Sequence, residues 1–262
     1  MSAFPRPIVV VSQCLELAPC RYDGGLIPFS FIRRLQPHAR LIPVCPEVEI
    51  GLGIPREPVR VIRRGNREYL ETTRTGARLT AQMRAFSNQF LAALPAADGF
   101  ILKSRSPSCG IRDTKIYPSP GAGRPLGKGS GLFAARVLQT FGPLTVEDEA
   151  RLARPAIRAR FLTRLFTLAA FRRTKASTAP RALARFHAEY EPLLKAHSPG
   201  ETRRMDQLAQ SAKSTTRSSL KNLLPAYEAR LRRALSRRPP PARRDQFAPP
   251  YPAELMEMEI SG

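Results

Sequence analysis

Apolar and polar positions follow two rhythms along the chain, and the change falls near residue 142. Before it, short β-branched runs recur between polar loops: PIVVVSQC (7–14), ARLIPVC (39–45) and GFILKSR (99–105). Each is short enough to be a buried strand. VRVIRRGNREYLET (59–72) predicts a hairpin that turns at Gly65-Asn66. Helical spacing fills the gaps. RLTAQMRAFSNQFLAAL places Leu79, Met83, Phe86, Phe90 and Leu91 on one face, and GSGLFAARVLQTF repeats the pattern with Leu132, Ala135 and Leu138. Strands alternating with helices predict an α/β fold with a parallel or mixed sheet flanked by helices.

Past Gly142 everything reads as helix, so a smaller all-α domain is expected to follow the sheet, with domains at 1–142 and 143–262. PLTVEDEARLARPAIRARFLTRLFTLAAFRR opens with Thr145 as an expected N-cap, acids in the first turn and basic residues later, the order a helix dipole favours. RALARFHAEYEPLLKAH recurs through Leu183, Phe186, Tyr190 and Leu193 or Leu194, and SLKNLLPAYEARLRRAL is a further helix interrupted by Pro225. SRRPPPARRDQFAPPYPAEL is too rich in proline and arginine for a packed element and is expected to be extended and mobile.

Composition narrows the class. With 262 residues, 42% of them apolar, the chain can bury a real core. No run of about 18 apolar residues suggests a membrane span, and the opening MSAFPRPIVVV lacks the usual features of a signal peptide. A cytoplasmic location is expected, where thiols stay reduced and four cysteines read as metal ligands or nucleophiles rather than disulfides. The net charge is +22. Residues 1–150 carry 20 basic and 12 acidic side chains (+8), and 151–262 carry 23 and 9 (+14). Any contact with a polyanion such as RNA therefore belongs to the second half, where aromatic platforms for stacking are sparse and only weak electrostatic attraction is expected.

Three of the four cysteines share one address. Cys14 ends the first strand, Cys45 ends the second and Cys109 lies just beyond the third. Ligands of open α/β sheets gather outside the carboxyl ends of the strands, so neighbouring strands would bring these thiols together without a local CxxC. Cys20 sits in a loop whose direction the sequence leaves open. The residues leave three readings. One is a structural zinc closed by Cys20 or by His38, His187 or His197. Another is a [4Fe-4S] cluster on three cysteines with one iron open, and the last is buried, inert thiols. The flanks favour a working site: Glu47 follows Cys45 by two residues, Lys103, Ser104, Arg105, Ser106 and Ser108 precede Cys109, and Arg21, Tyr22 and Asp23 follow Cys20.

Together SQCLELAPCRYDGG, PVCPEVEIGLGIPRE and ILKSRSPSCG closely resemble the thiouracil desulfidase (TudS-like) family over about residues 6–142. Where the family has CLLG this chain has CLEL, losing a glycine and gaining Glu16. The resemblance implies a [4Fe-4S] cofactor on Cys14, Cys45 and Cys109, with Cys20 spare, and non-redox removal of sulfur from a small thiolated nucleobase of the 2-thiouracil type. On that reading Glu47 is the base, Ser106 orients water or the pyrimidine oxygen, and Lys103, Ser108, Arg21 and Tyr22 contact substrate. Thiolated bases within RNA are a further form of substrate. The second half resembles, more loosely, the YbgA-like domain, shortened between NLLPAYEARLRRAL and PYPAEL. The competing class is a zinc-stapled nucleic-acid-binding protein that uses the basic helical half without catalysis. Oligomeric state is not legible.

Overall fold

Residue by residue, the computed structural model describes 4–121, 123–177, 179, 181–212, 217–240 and 247–257, apart from the side chains of 217–219 and 221. The chain divides into two units, Ile8–Phe161 with Glu254–Gly262, and Met1–Pro7 with Leu162–Ala253.

The first unit is built on two four-stranded sheets. Its elements in order are β1 Ile8–Ser12, α1 Ser30–Leu35, β2 Arg40–Val44, α2 Pro46–Glu49, β3 Val59–Arg64, β4 Arg67–Thr72, α3 Thr80–Ala93, β5 Gly99–Leu102, β6 Thr114–Tyr117, β7 Gly127–Gly129, α4 Leu132–Phe141, β8 Val146–Asp148 and α5 Glu149–Leu152. One sheet runs β2-β1-β5-β8 and every pairing in it is parallel. Residues of β1 and β5 are buried throughout, as strands covered on both faces must be, and this is why they read as unbroken apolar runs. The other sheet is mixed, in the order β4-β3-β6-β7. Its β3–β4 hairpin pairs Arg64 with Arg67 across Gly65-Asn66 as expected, and Gly65 takes φ +57°, the left-handed backbone such two-residue turns need.

The core of this unit joins Val10, Val44, Phe100 and Leu102 of the parallel sheet to Met83 and Leu91 of α3 and Phe133, Ala134 and Val137 of α4. Each fully buried Val, Leu, Met or Phe among them contributes about 1.5–3 kcal/mol. The face of α4 differs from expectation. Phe133, Ala134 and Val137 are buried, Leu132 and Leu138 only flank the core, and Ala135 is exposed. Both sets recur at helical spacing, and the bulk of Phe133 decides which turns inward.

Thr145 caps no helix. Val146–Asp148 forms β8 on the edge of the parallel sheet, and the cap lies three residues later, where the Asp148 carboxylate accepts from the Arg151 amide at 2.8 Å. Acids after a β-branched residue look like a helical first turn, yet here one of them ends a strand.

The remaining elements are α6 Pro155–Ala176, α7 Ala182–His197, α8 Pro199–Ser211 and α9 Arg217–Ser236. α7 buries Leu183, Phe186, Tyr190, Leu193 and Leu194 as its spacing predicts. α9 is not interrupted, for it runs through Pro225, and the burial of Tyr227, Leu231, Ala234 and Leu235 along one side offsets the backbone bond that proline lacks. The Pro/Arg-rich tail is only partly as expected. Residues 241–246 lie outside the described set, but Tyr251 is buried against the Phe166 ring and Leu255 is fully buried in a 3-10 turn over Ala253–Met256. No described helix is long and apolar enough to cross a membrane.

Candidate active site

The parallel order β2-β1-β5 makes the strands that lead to Cys45, Cys14 and Cys109 neighbours. Register keeps their ends level: Ser12 pairs with Val44, Val11 with Ile101, and the Gln13 amide donates to the Val44 carbonyl at 2.9 Å. All four cysteines line one cavity of roughly 370 Å³ beyond those ends, together with Ser12, Glu47, Arg56, Lys103 and Ser106. Val44, Pro46, Pro58, Val59 and Pro107 supply its apolar walls.

Cys45 and Cys109 are each fixed by a local device. Cys45 occupies the cap position of α2 with Pro46 as the first helical residue, and this turn buries Glu47 in the next position. Cys109 sits in a turn closed by Ser106, whose hydroxyl accepts from the amides of Ser108 (3.2 Å) and Cys109 (3.0 Å). The glycine of that turn is dictated by space, because a Cβ on Gly110 would overlap Thr114 Oγ1 and the Ser106 carbonyl. Cys20, whose direction the sequence left open, is turned inward and only 2% exposed. Its thiol is pushed up to about 11 by contact with Cys14, against a pull down from Cys45, and by burial. Cys45 is raised by contact with Cys20 and by burial. Burial pushes Cys109 up to about 12, with the hydroxyls of Ser12 and Ser106 pulling down. Thiols held this way ionise when a cation takes them as ligands.

Around the thiols the charges are paired. Glu47, buried to 9% exposure, accepts from Ser108 Oγ at 2.9 Å and meets Arg56 through Nε at 2.9 Å and Nη2 at 2.8 Å. Lys103 Nζ lies 2.6 Å from Glu149 Oε1, and Glu149 also accepts from the Ser104 amide (2.8 Å) and hydroxyl (2.6 Å). Arg21 forks onto Asp23 at 3.1 and 2.9 Å, beside the half-exposed Tyr22 ring at the rim.

Among the described residues no three of His, Cys, Asp or Glu are grouped as ligands of a single metal ion. The thiols instead share a cavity. The model of the 2-thiouracil desulfurase family matches residues 9–149, just over half the chain. This chain belongs to that family. The uncharacterized protein YbbK of Bacillus subtilis (strain 168) is 31% identical over 149 residues, which is 54% of this chain and 97% of YbbK. Among solved structures, the [4Fe-4S]-dependent thiouracil desulfidase TudS is 30% identical, the match covering 56% of this chain and 94% of that one at a TM-score of 0.44. A superposition that loose carries no inference about this chain.

The family match extends past the expected boundary at 142 and takes in β8 and Glu149. Of the residues singled out in the sequence, Cys14, Cys45, Cys109, Glu47, Ser106, Lys103, Arg21 and Tyr22 all line the cavity. Ser108 does not; it is fully buried and faces Glu47. Arg56, Ser12 and Glu149 were missed. Arg56 stood in GLGIPRE with a signal, a cation following two glycines and a proline, whereas Glu149 lay in a stretch that reads as the start of a helical domain. His187 and His197 belong to the other unit, where Nδ1 of each is bonded at 2.9 Å, to the Tyr227 hydroxyl and the Arg237 carbonyl respectively.

Proposed function

We propose that this chain removes sulfur from a thiolated pyrimidine of the 2-thiouracil type by hydrolysis, giving the oxo base and hydrogen sulfide. Thiocarbonyl and water become carbonyl and hydrogen sulfide, so no electron donor or acceptor is needed. The observation that carries this reading is the convergence of the thiols and Glu47 on one partly apolar cavity at the carboxyl ends of adjacent parallel strands.

The donor set fits a [4Fe-4S] cluster held by Cys14, Cys45 and Cys109. It consists of soft thiols that line one cavity, the ligand type that iron-sulfur clusters take. When bound, such a group supplies a soft Lewis-acid position for the substrate sulfur. The protein does the rest. Pro58, Val59 and Pro107 offer apolar walls to a flat ring. Glu47 takes the proton of the attacking water and returns one to the ring nitrogen or the departing sulfur. Ser106 uses its lone pairs to accept two amides, which leaves its O–H to donate to water or to the pyrimidine oxygen. Lys103 contributes positive potential at the wall, tempered by Glu149, and Arg21 and Tyr22 border the entrance.

Purification without oxygen, followed by iron, sulfide and absorbance measurements, tests the cofactor; a colourless protein with stoichiometric zinc overturns the reading. Sulfide release from 2-thiouracil tests the reaction. It is expected from the native chain and not from Glu47→Ala, and equal rates remove Glu47 from the mechanism.

A further inference from the structure

Arg56 is the most heavily engaged side chain at the cavity. It is buried to 5% exposure, and its guanidinium meets three separate segments. Nε and Nη2 hold Glu47 Oε2 at 2.9 and 2.8 Å, while Nη1 donates to the Cys20 carbonyl at 3.0 Å and the Gly53 carbonyl at 3.1 Å. Nη2 also stands 3.9 Å from Cys45 Sγ. Its own amide donates to the Tyr22 carbonyl at 2.8 Å, tying the same loop a second time. The chain returns to this point through Gly51 and Gly53, both left-handed at φ +88° and +67°. Those are conformations that side chains resist.

We propose that Arg56 is a positioning residue for desulfuration: its fork fixes the Glu47 carboxylate toward the cavity and, through the Cys20 carbonyl, clamps the Cys20–Gly25 loop as one wall. A point charge could pair with Glu47, but only a planar fork with five donors reaches a carboxylate and two carbonyls at once. Ser108 holds the other oxygen of the same carboxylate, so Glu47 is gripped from both sides and its freedom to leave the cavity is removed. The inference rests on Glu47 acting as the base, and the loop clamp is measurable without any reaction.

Two arms test it. In cluster-free full-length chain, Cys20 is alkylated by iodoacetamide and followed by peptide mass spectrometry. Native protein is expected to label slowly, Arg56→Lys, which keeps the charge and the fold, at least about tenfold faster, and Arg56→Ala faster still. In loaded enzyme, Arg56→Ala is expected to lower kcat by about 100-fold with little change in KM, and added guanidinium restores part of the rate. Placed in a Glu47→Gln background the same substitution costs much less, because the share acting through the carboxylate is already lost and only the loop clamp remains. Labelling of Cys20 at the native rate in both variants overturns the clamp, and an undiminished extra loss in the Glu47→Gln background overturns the positioning role. If native enzyme releases no sulfide from 2-thiouracil, the desulfidase reading fails by itself and the labelling arm still decides the clamp.

Discussion

Both units bury ionisable side chains, and they use them differently. In the helical unit His187 and His197 are buried singly, each satisfied at Nδ1 by one neighbour. Burial holds both imidazoles below their ordinary range, with Asp206 opposing it for His187. His187 stands edge-on to Tyr227 in a cluster of stacked rings, Phe171 on Tyr227 and Phe186 on Tyr190, and His197 lies against the Phe247 ring. Opposed charge pairs occur in both units: buried Glu201 meets Arg204 and Arg230 in the helical one, while in the first unit Glu47 meets Arg56 and the partly buried Lys103 meets Glu149, and there Glu47, Arg56 and Lys103 line the cavity that also holds the thiols. A buried titratable group is therefore weak evidence of chemistry; several of them converging on open space is stronger evidence.

The contrast can be broken by substitution. Replacing Cys14, Cys45 or Cys109 by alanine is expected to abolish bound iron and bring sulfide release to background, as colorimetric iron and sulfide assays would report; retention of both by Cys14→Ala with loss in Cys20→Ala would exchange the roles of those two thiols. Glu47→Gln is expected to lower kcat by about 100- to 10,000-fold while leaving the iron content intact. Glu149→Ala leaves the Lys103 ammonium unpaired and takes two bonds from Ser104, so stability should fall by about 3 kcal/mol, read by urea unfolding.

Asp148 sharpens the comparison by pH. Burial, with Glu149, Asp113 and Glu147 nearby, raises its carboxyl to about 6 against the bond from the Arg151 amide. The folded state then holds a proton that the unfolded chain has released, so stability falls as pH climbs from 3.8 to about 6. Asp148→Asn keeps the capping oxygen, should flatten that slope, and should stabilise the protein at neutral pH by about 1–3 kcal/mol. The smallest effect belongs to the helical unit. Tyr227→Phe removes the bond to His187 and should cost about 1 kcal/mol while sulfide release stays at the native rate.

Much of this was legible before any coordinates. Runs such as IVVVS and GFIL are strands because a parallel sheet buries both faces, and thiols placed after successive strands converge when those strands are neighbours. What escaped depended on distance in sequence. Arg56 gains its meaning from Cys20 and Glu47, 36 and 9 residues away, and Glu149 from Lys103, 46 residues away. β8 escaped because its three residues are too short to show a period, and α8, Pro199–Ser211, though within the stretch that reads as helix, was not singled out because its polar surface hides the buried Met205 and Ala209. In the loop where CLEL replaces CLLG, the left-handed residue is Glu16 and not Leu17. It takes φ +69° and is held there by Arg33 and by the Phe29 amide, both bonded to its carboxylate.

The level register of β2, β1 and β5 has an evolutionary consequence. Because Cys14 and Cys45 follow directly on paired strand ends, the segment between them can lengthen or shorten by many residues without moving either sulfur, whereas Cys109, past the end of β5, depends on the turn closed by Ser106. A slip of one residue within a strand would instead turn its side chains to the opposite face. Homologous centres of this kind are therefore expected to tolerate wide variation in the interval between their counterparts of Cys14 and Cys45 and almost none in the strands that precede them.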